Sequence, residues 1–301
     1  MTPLDAPASP AAAPSRPGRH RAWHRRAWLL AALAGALLVL VPAGRTAWTH
    51  TVRQGRVVVG DSGGSPVRAL EIVGRGADIT LTPRADEAVA YRAELGWSGK
   101  PPAVEQSRLG DTLRLTVRCP GDPGDLGDPG PGAGGSGGSA ASGAGAGCDV
   151  RLAVTAPAGI PVRVSAGSGR VDISGMAGPV DASVASGTLN LLGLRGALRA
   201  RTGSGALTAT GLTSARADIA ADSGRAQAVF LAPPEEVTAR VGSGRLDLAF
   251  PPATRLRVDA RAGSGVCEVA PALRDPSSPH TLTVSAESGR AEARTGSTAP
   301  D

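Results

Sequence analysis

The feature that most constrains this chain is a series of seven Ser-Gly dipeptides that recur at a near-regular interval in its second half. The copies are Ser168-Gly169, Ser186-Gly187, Ser204-Gly205, Ser223-Gly224, Ser243-Gly244, Ser264-Gly265 and Ser288-Gly289. Successive steps are 18, 18, 19, 20, 21 and 24 residues. A period of roughly 20 residues marks a repeat architecture, in which a unit too small to bury its own apolar face is completed by its neighbours.

Behind each corner the second and fourth residues are apolar and the third is polar. Examples are Val171-Asp172-Ile173, Leu189-Asn190-Leu191, Leu246-Asp247-Leu248 and Ala291-Glu292-Ala293. The stretch ahead of the corner alternates as well, as in Val162, Val164, Ala166 and Val237, Ala239, Val241. A period of two belongs to a strand with one buried face. Each unit therefore reads as strand, Ser-Gly corner, strand, second corner. Glycine supplies the positive φ that a tight corner often needs, and the serine hydroxyl can bond nearby backbone. The expected fold is all-β: a β-solenoid of about seven short coils over 149–294, with rungs about 4.8 Å apart. The last coil has only Ala291 and Ala293 behind its corner and is expected to fray.

The units Val-Arg-Val-Ser-Ala-Gly-Ser-Gly-Arg-Val-Asp-Ile-Ser-Gly (162–175) and Val-Thr-Ala-Arg-Val-Gly-Ser-Gly-Arg-Leu-Asp-Leu (237–248) resemble the bacterial putative-adhesin family, a β-strand-repeat domain family of unknown function. The stretch Val-Thr-Ala-Pro-Ala-Gly-Ile-Pro-Val (154–162) is similar to the lead-in to that family's first coil. The resemblance implies a β-helix-like solenoid in an envelope setting, with no known catalytic residues to carry over.

The remaining segments divide by composition. Residues 1–26 read as a disordered basic tail, cytoplasmic in placement. Residues 27–44 read as one transmembrane helix: the uncharged run 27–43 follows Arg25 and Arg26, with Trp23, Trp28 and Trp48 near its ends. The rival reading is a cleaved signal peptide with Val41-Pro42-Ala43 at the cut, and the Arg pair also fits twin-arginine export. On the first reading the solenoid is extracytoplasmic on a single-pass anchor; on the second it is secreted. A stalk (45–56), an N-terminal β cap (57–118), a Gly/Pro-rich disordered loop (119–148) and a short tail (295–301) complete the chain. Trp97 belongs to a loop or to the core of the cap. The net charge of +6 is concentrated ahead of residue 46, where six Arg face one acid. The basic pI therefore reflects a membrane flank and not a nucleic-acid surface.

Cys119 and Cys148 bracket the Gly/Pro-rich loop, each at the end of a strand-like run. If those runs pair as antiparallel neighbours, the thiols meet and oxidise outside the cytoplasm. Two unpaired thiols or a metal pair are the alternatives. Cys267 falls on an inward place and reads as a small core residue.

Four corners continue with Arg: Arg170, Arg225, Arg245 and Arg290. They would project from one side as an anion-binding stripe, or as a solvated face balanced by Asp172, Asp247, Glu268 and Glu292. Thr188, Ala206 and Val266 interrupt the series. The repeated serines do not stand in a nucleophile elbow, and the exported part offers only His50 and His280 as bases. No catalytic, cofactor or metal set emerges. The expected function is a non-catalytic extracytoplasmic solenoid that binds a cell-wall polymer or an envelope protein. The alternative is a structural or regulatory subunit of an envelope-stress system, acting by self-association or by pairing with a membrane partner. A glycan-active β-helix enzyme is a third reading.

Overall fold

The structure is a computed structural model and describes residues 54–63, 66–120 and 148–296. Six strands precede the repeats: β1 (Gln54–Asp61), β2 (Ala69–Arg84), β3 (Ala90–Trp97), β4 (Ala103–Leu109), β5 (Thr112–Arg118) and β6 (Cys148–Pro157). Each repeat then gives one strand before its corner and one after it. These are β7 (Val162–Ser168) and β8 (Arg170–Ser174), β9 (Val180–Val184) and β10 (Thr188–Leu192), and β11 (Leu198–Thr202) and β12 (Ala206–Leu212). Next come β13 (Arg216–Ala221) and β14 (Arg225–Phe230), then β15 (Glu236–Val241) and β16 (Arg245–Phe250). The series closes with β17 (Arg257–Ala262) and β18 (Val266–Val269), a 3-10 turn (Pro271–Leu273), and β19 (Thr281–Ala286) and β20 (Arg290–Thr295).

Strands ahead of the corners pair in parallel to make a leading sheet, and strands behind them make a trailing sheet. The register is like for like. Val171, Leu189, Leu207, Ala226 and Leu246 stand in one column of the trailing sheet. All five are buried, which is what alternation requires when two sheets face each other across an apolar core. A bulge between Ala209 and Leu212 absorbs the lengthening step and sets Leu212 against Phe230. Phe230 and Phe250 stack one rung apart, with ring centroids at 5.1 Å and planes 7° apart.

The order of the coils departs from the order of the chain. β15 pairs with β19, and β16 with β20. β17 and β18 pair on the far side of that same coil. The seventh corner is thus inserted between the fifth and the sixth. The expectation that the last coil frays is overturned: Ala291 and Ala293 are 1% and 2% exposed. The sixth coil ends the stack instead, and most of β17 is exposed. The segment 270–280 makes this possible. It carries the chain outward through the Pro271–Leu273 turn, with Leu256 and Leu273 buried together, and back to the rung above.

The N-terminal strands continue the stack rather than simply closing it. β2 turns a corner at Gly76-Ala77. Its first half pairs with β7 in the leading sheet, and its second half with β8 in the trailing sheet. β5 and β6 form a further coil above it, each pairing in parallel with β2 on opposite sheets. The disulfide Cys119–Cys148 closes the corner of that coil, with Cα atoms 6.0 Å apart. The two flanking runs therefore do not pair with each other as antiparallel neighbours; they meet as the two arms of one coil. Antiparallel β4 on one sheet, and β3 with β1 on the other, complete this end. Trp97 ends β3 and is buried, as is Tyr91.

The fold class is corrected on one point. Among the described residues no helix is long and apolar enough to cross a membrane. The transmembrane helix expected over 27–44 lies outside the described residues, as do the tail 1–26 and the loop residues 121–147. What the structure describes is all β.

Removal of the disulfide tests the corner it closes. Cys119→Ser with Cys148→Ser is expected to lower stability by roughly 3–4 kcal/mol on the chain-entropy model for a loop of this length. Urea denaturation of the double variant measures this. Thiol counting on the denatured native chain should find a single free thiol, Cys267.

Candidate functional site

The Ser-Gly corners stack one above another and line a shallow groove of about 660 Å³ beside Arg225 and Arg245. Backbone bonds fix each rung: the N–H groups of Thr188, Ala206, Arg225, Arg245 and Arg290 donate to the carbonyls of Gly169, Gly187, Gly205, Gly224 and Gly244. Glycine is needed here for a reason other than its φ. Among the seven corner glycines only Gly169 has a positive φ, at 101°. At Gly187, Gly205, Gly224 and Gly244 a Cβ would lie 1.8–2.0 Å from the carbonyl oxygen of the preceding corner glycine. The corners are close-approach sites, and their backbones contact directly. The serine hydroxyls do bond locally where partners are resolved. Ser168 Oγ donates to the Arg75 carbonyl at 3.1 Å, and Ser264 Oγ lies 3.1 Å from Ser288 Oγ.

The order of the coils reshapes the arginine stripe. In the trailing sheet the column behind the corners reads Arg170, Thr188, Ala206, Arg225, Arg245, Arg290, Val266. Val266 no longer interrupts it, because its coil lies at the end. Arg225, Arg245 and Arg290 stand on three consecutive rungs, about 4.8 Å from one to the next. Arg170 lies three rungs away, and its backbone N–H is held by Asp78 Oδ1 at 2.9 Å. Arg290 pairs with Glu268 at 2.9 Å. Among the described residues Arg225 and Arg245 form no ion pair, and both are exposed.

The outer face of the leading sheet contrasts with this. One column there reads Arg114, Glu71, Arg163, Asp181, Arg199, Asp218, alternating in sign from rung to rung. Its members neutralise one another: Arg163–Asp181 is 3.3 Å, Arg199–Asp218 3.1 Å and Arg114–Glu71 3.6 Å. Arg240 adds a second contact to Asp218 at 3.1 Å. A second groove of about 660 Å³ follows this column. Periodicity alone does not reveal the ladder, since outward places are read only as polar; the alternating signs become visible once the register is known.

His280 stands just ahead of β19, eight residues before Ser288 at the corner beyond the strand's other end. Its backbone N–H donates to Ser278 Oγ at 3.1 Å. His50 lies outside the described residues. Among the described residues no group of three or more His, Cys, Asp or Glu is poised to hold a metal. Cys267 sits on the inward register but in the end coil, so it is half-buried rather than a core residue. Partial burial pushes its thiol above the ordinary range.

No family model matches the chain, and no curated protein matches it. Solved structures do match, at low identity. One is described as a putative cell adhesion protein from Clostridium sporogenes, 12% identical, covering 81% of this chain and all of that one, with a TM-score of 0.35. A putative adhesin from Bacteroides fragilis is 11% identical over 80% of this chain and 97% of that one, with a TM-score of 0.39. A putative lipid binding protein from Parabacteroides distasonis is 12% identical over 81% and 97%, also with a TM-score of 0.39. Bacterial proteins described as adhesins are among those this chain is similar to.

Proposed function

We propose that this chain is a non-catalytic extracytoplasmic binding module that holds an extended polyanion, of the kind found in cell-wall polymers, along its corner face. The observation that carries the reading is the unbroken run Arg225, Arg245, Arg290, whose first two members line an open groove with their guanidinium groups unpaired among the described residues. Backbone rungs hold these side chains in line, so a linear ligand meets them without ordering the site. The Cys119–Cys148 disulfide supports an oxidising compartment. The corner serines support a structural role, since their neighbours are backbone and other corners.

The test uses long-chain inorganic polyphosphate as the probe. Binding is expected at low salt, weakening as salt rises. Arg225→Gln with Arg245→Gln is expected to reduce affinity roughly tenfold, from two exposed charges of modest individual effect. Arg163→Gln, whose side chain is already paired with Asp181, should change it little. Equal binding by native chain and double variant would contradict the reading.

A further inference from the structure

The sixth coil closes the stack with nothing below it among the described residues. In β17 the inward places Ala260 and Ala262 match the buried Val284 and Ala286 of β19, yet both are exposed. Val258 and Cys267, also inward, are only partly buried. Among the described residues the hydrogen-bonding groups on the outer edge of β17 form no strand ladder either, since β19 is the one strand it pairs with there. An edge of this kind is a template for another strand. At the other end of the stack the outermost strands are β4 and β1, each added antiparallel to its neighbour rather than as a further parallel rung.

The outward residues of β17 say which strand fits. They are Arg257, Asp259 and Arg261, separated by apolar places. We infer that the chain pairs end to end with a second copy of itself, β17 lying antiparallel to β17 of the partner about a twofold axis at Ala260. In that register Asp259 faces Arg261 of the partner subunit, twice by symmetry, and Val258 faces Ala262 of the partner subunit across a continued apolar interior. Neighbouring registers are less favourable. An axis at Asp259 sets Asp259 against its own copy and Arg257 against Arg261 of the partner subunit. An axis at Val258 sets Arg257 against Asp259 of the partner subunit, but it also sets Arg255 against Arg261 of the partner subunit and requires Leu256, whose backbone is already bridged to Arg274. The pairing uses neither the arginine run nor the corner groove, so it stands apart from polyanion binding.

Sedimentation equilibrium of the full chain tests it. The native chain is expected to dimerise reversibly. Asp259→Arg turns both cross-pairs repulsive and is expected to weaken the dimer about tenfold. Asp259→Arg with Arg261→Asp restores opposite charges in this register and should recover the native constant within a few-fold. Thermal melting controls for folding: Asp259 and Arg261 are exposed and pair only with each other, so the melting of each variant should stay close to native. A native chain that stays monomeric overturns the inference. So does association that Asp259→Arg leaves intact, or that the double variant fails to recover.

Discussion

Ala291→Asp is expected to lower stability by more than about 4 kcal/mol, because it buries a carboxylate with no partner. Ala291 is 1% exposed, held between Leu246 on one side and Cys267 on the other. Cys267→Asp places the same group at the equivalent inward position one rung further on. In the single chain the stack ends there and water reaches the site, so at concentrations where the chain is monomeric the expected loss is about 1 kcal/mol or less. Urea denaturation of the two variants gives the comparison. A stack built in chain order predicts the reverse ranking, with residue 267 in the interior and residue 291 at the end.

The second large effect is at the corners. Gly244→Ala puts a Cβ 1.8 Å from the Gly224 carbonyl oxygen, so the two rungs must separate. Separation weakens the Arg245 N–H bond to that same oxygen, now 3.0 Å, and strains the bonds of the rungs on either side. The expected loss is about 3 kcal/mol or more, at the upper end of overpacking effects. Ser243→Ala, one residue earlier on an exposed side chain, should stay within about 0.5 kcal/mol of native. Losses of similar size at the two positions would mean that the corner depends on the hydroxyl and not on bare backbone.

Much of the stack was legible from the alternation of residues. The inward places of each unit and the corner positions follow from residue type and spacing; the Cys119–Cys148 bond was expected through an antiparallel pairing of its flanking runs, and it forms instead between the two arms of one coil. The identity of the neighbours was not legible. The coils present interiors of one kind, mostly small aliphatic side chains, so Leu246 accepts Ala291 as readily as Cys267. A linear pattern says that a unit needs a neighbour without saying which. The lengthened step before the seventh corner signalled a loop, but not that the loop doubles back past one rung.

Two coils were missed because their corners are written differently. β2 carries Ile72, Gly74, Gly76, Ala77, Asp78, Ile79 and Leu81, which is the repeat with Gly76-Ala77 in place of Ser-Gly. A looser motif would have found it. The coil made by β5 and β6 hides its corner behind the residues between its two cysteines. The arginine run was legible only in part: residue type marked its members, and the displaced coil decided which of them are neighbours.

The order of the coils is tested most directly by cysteine cross-linking across the corners, with Cys267 replaced by Ser. Ser243→Cys with Ser288→Cys places thiols on adjacent rungs, about 4.8 Å apart and within disulfide reach. Ser243→Cys with Ser264→Cys places them two rungs apart, about 9.6 Å, beyond the roughly 7 Å limit. The account predicts a bond in the first pair and none in the second. A bond between residues 243 and 264, with none between 243 and 288, would show that the coils follow the chain and contradict it.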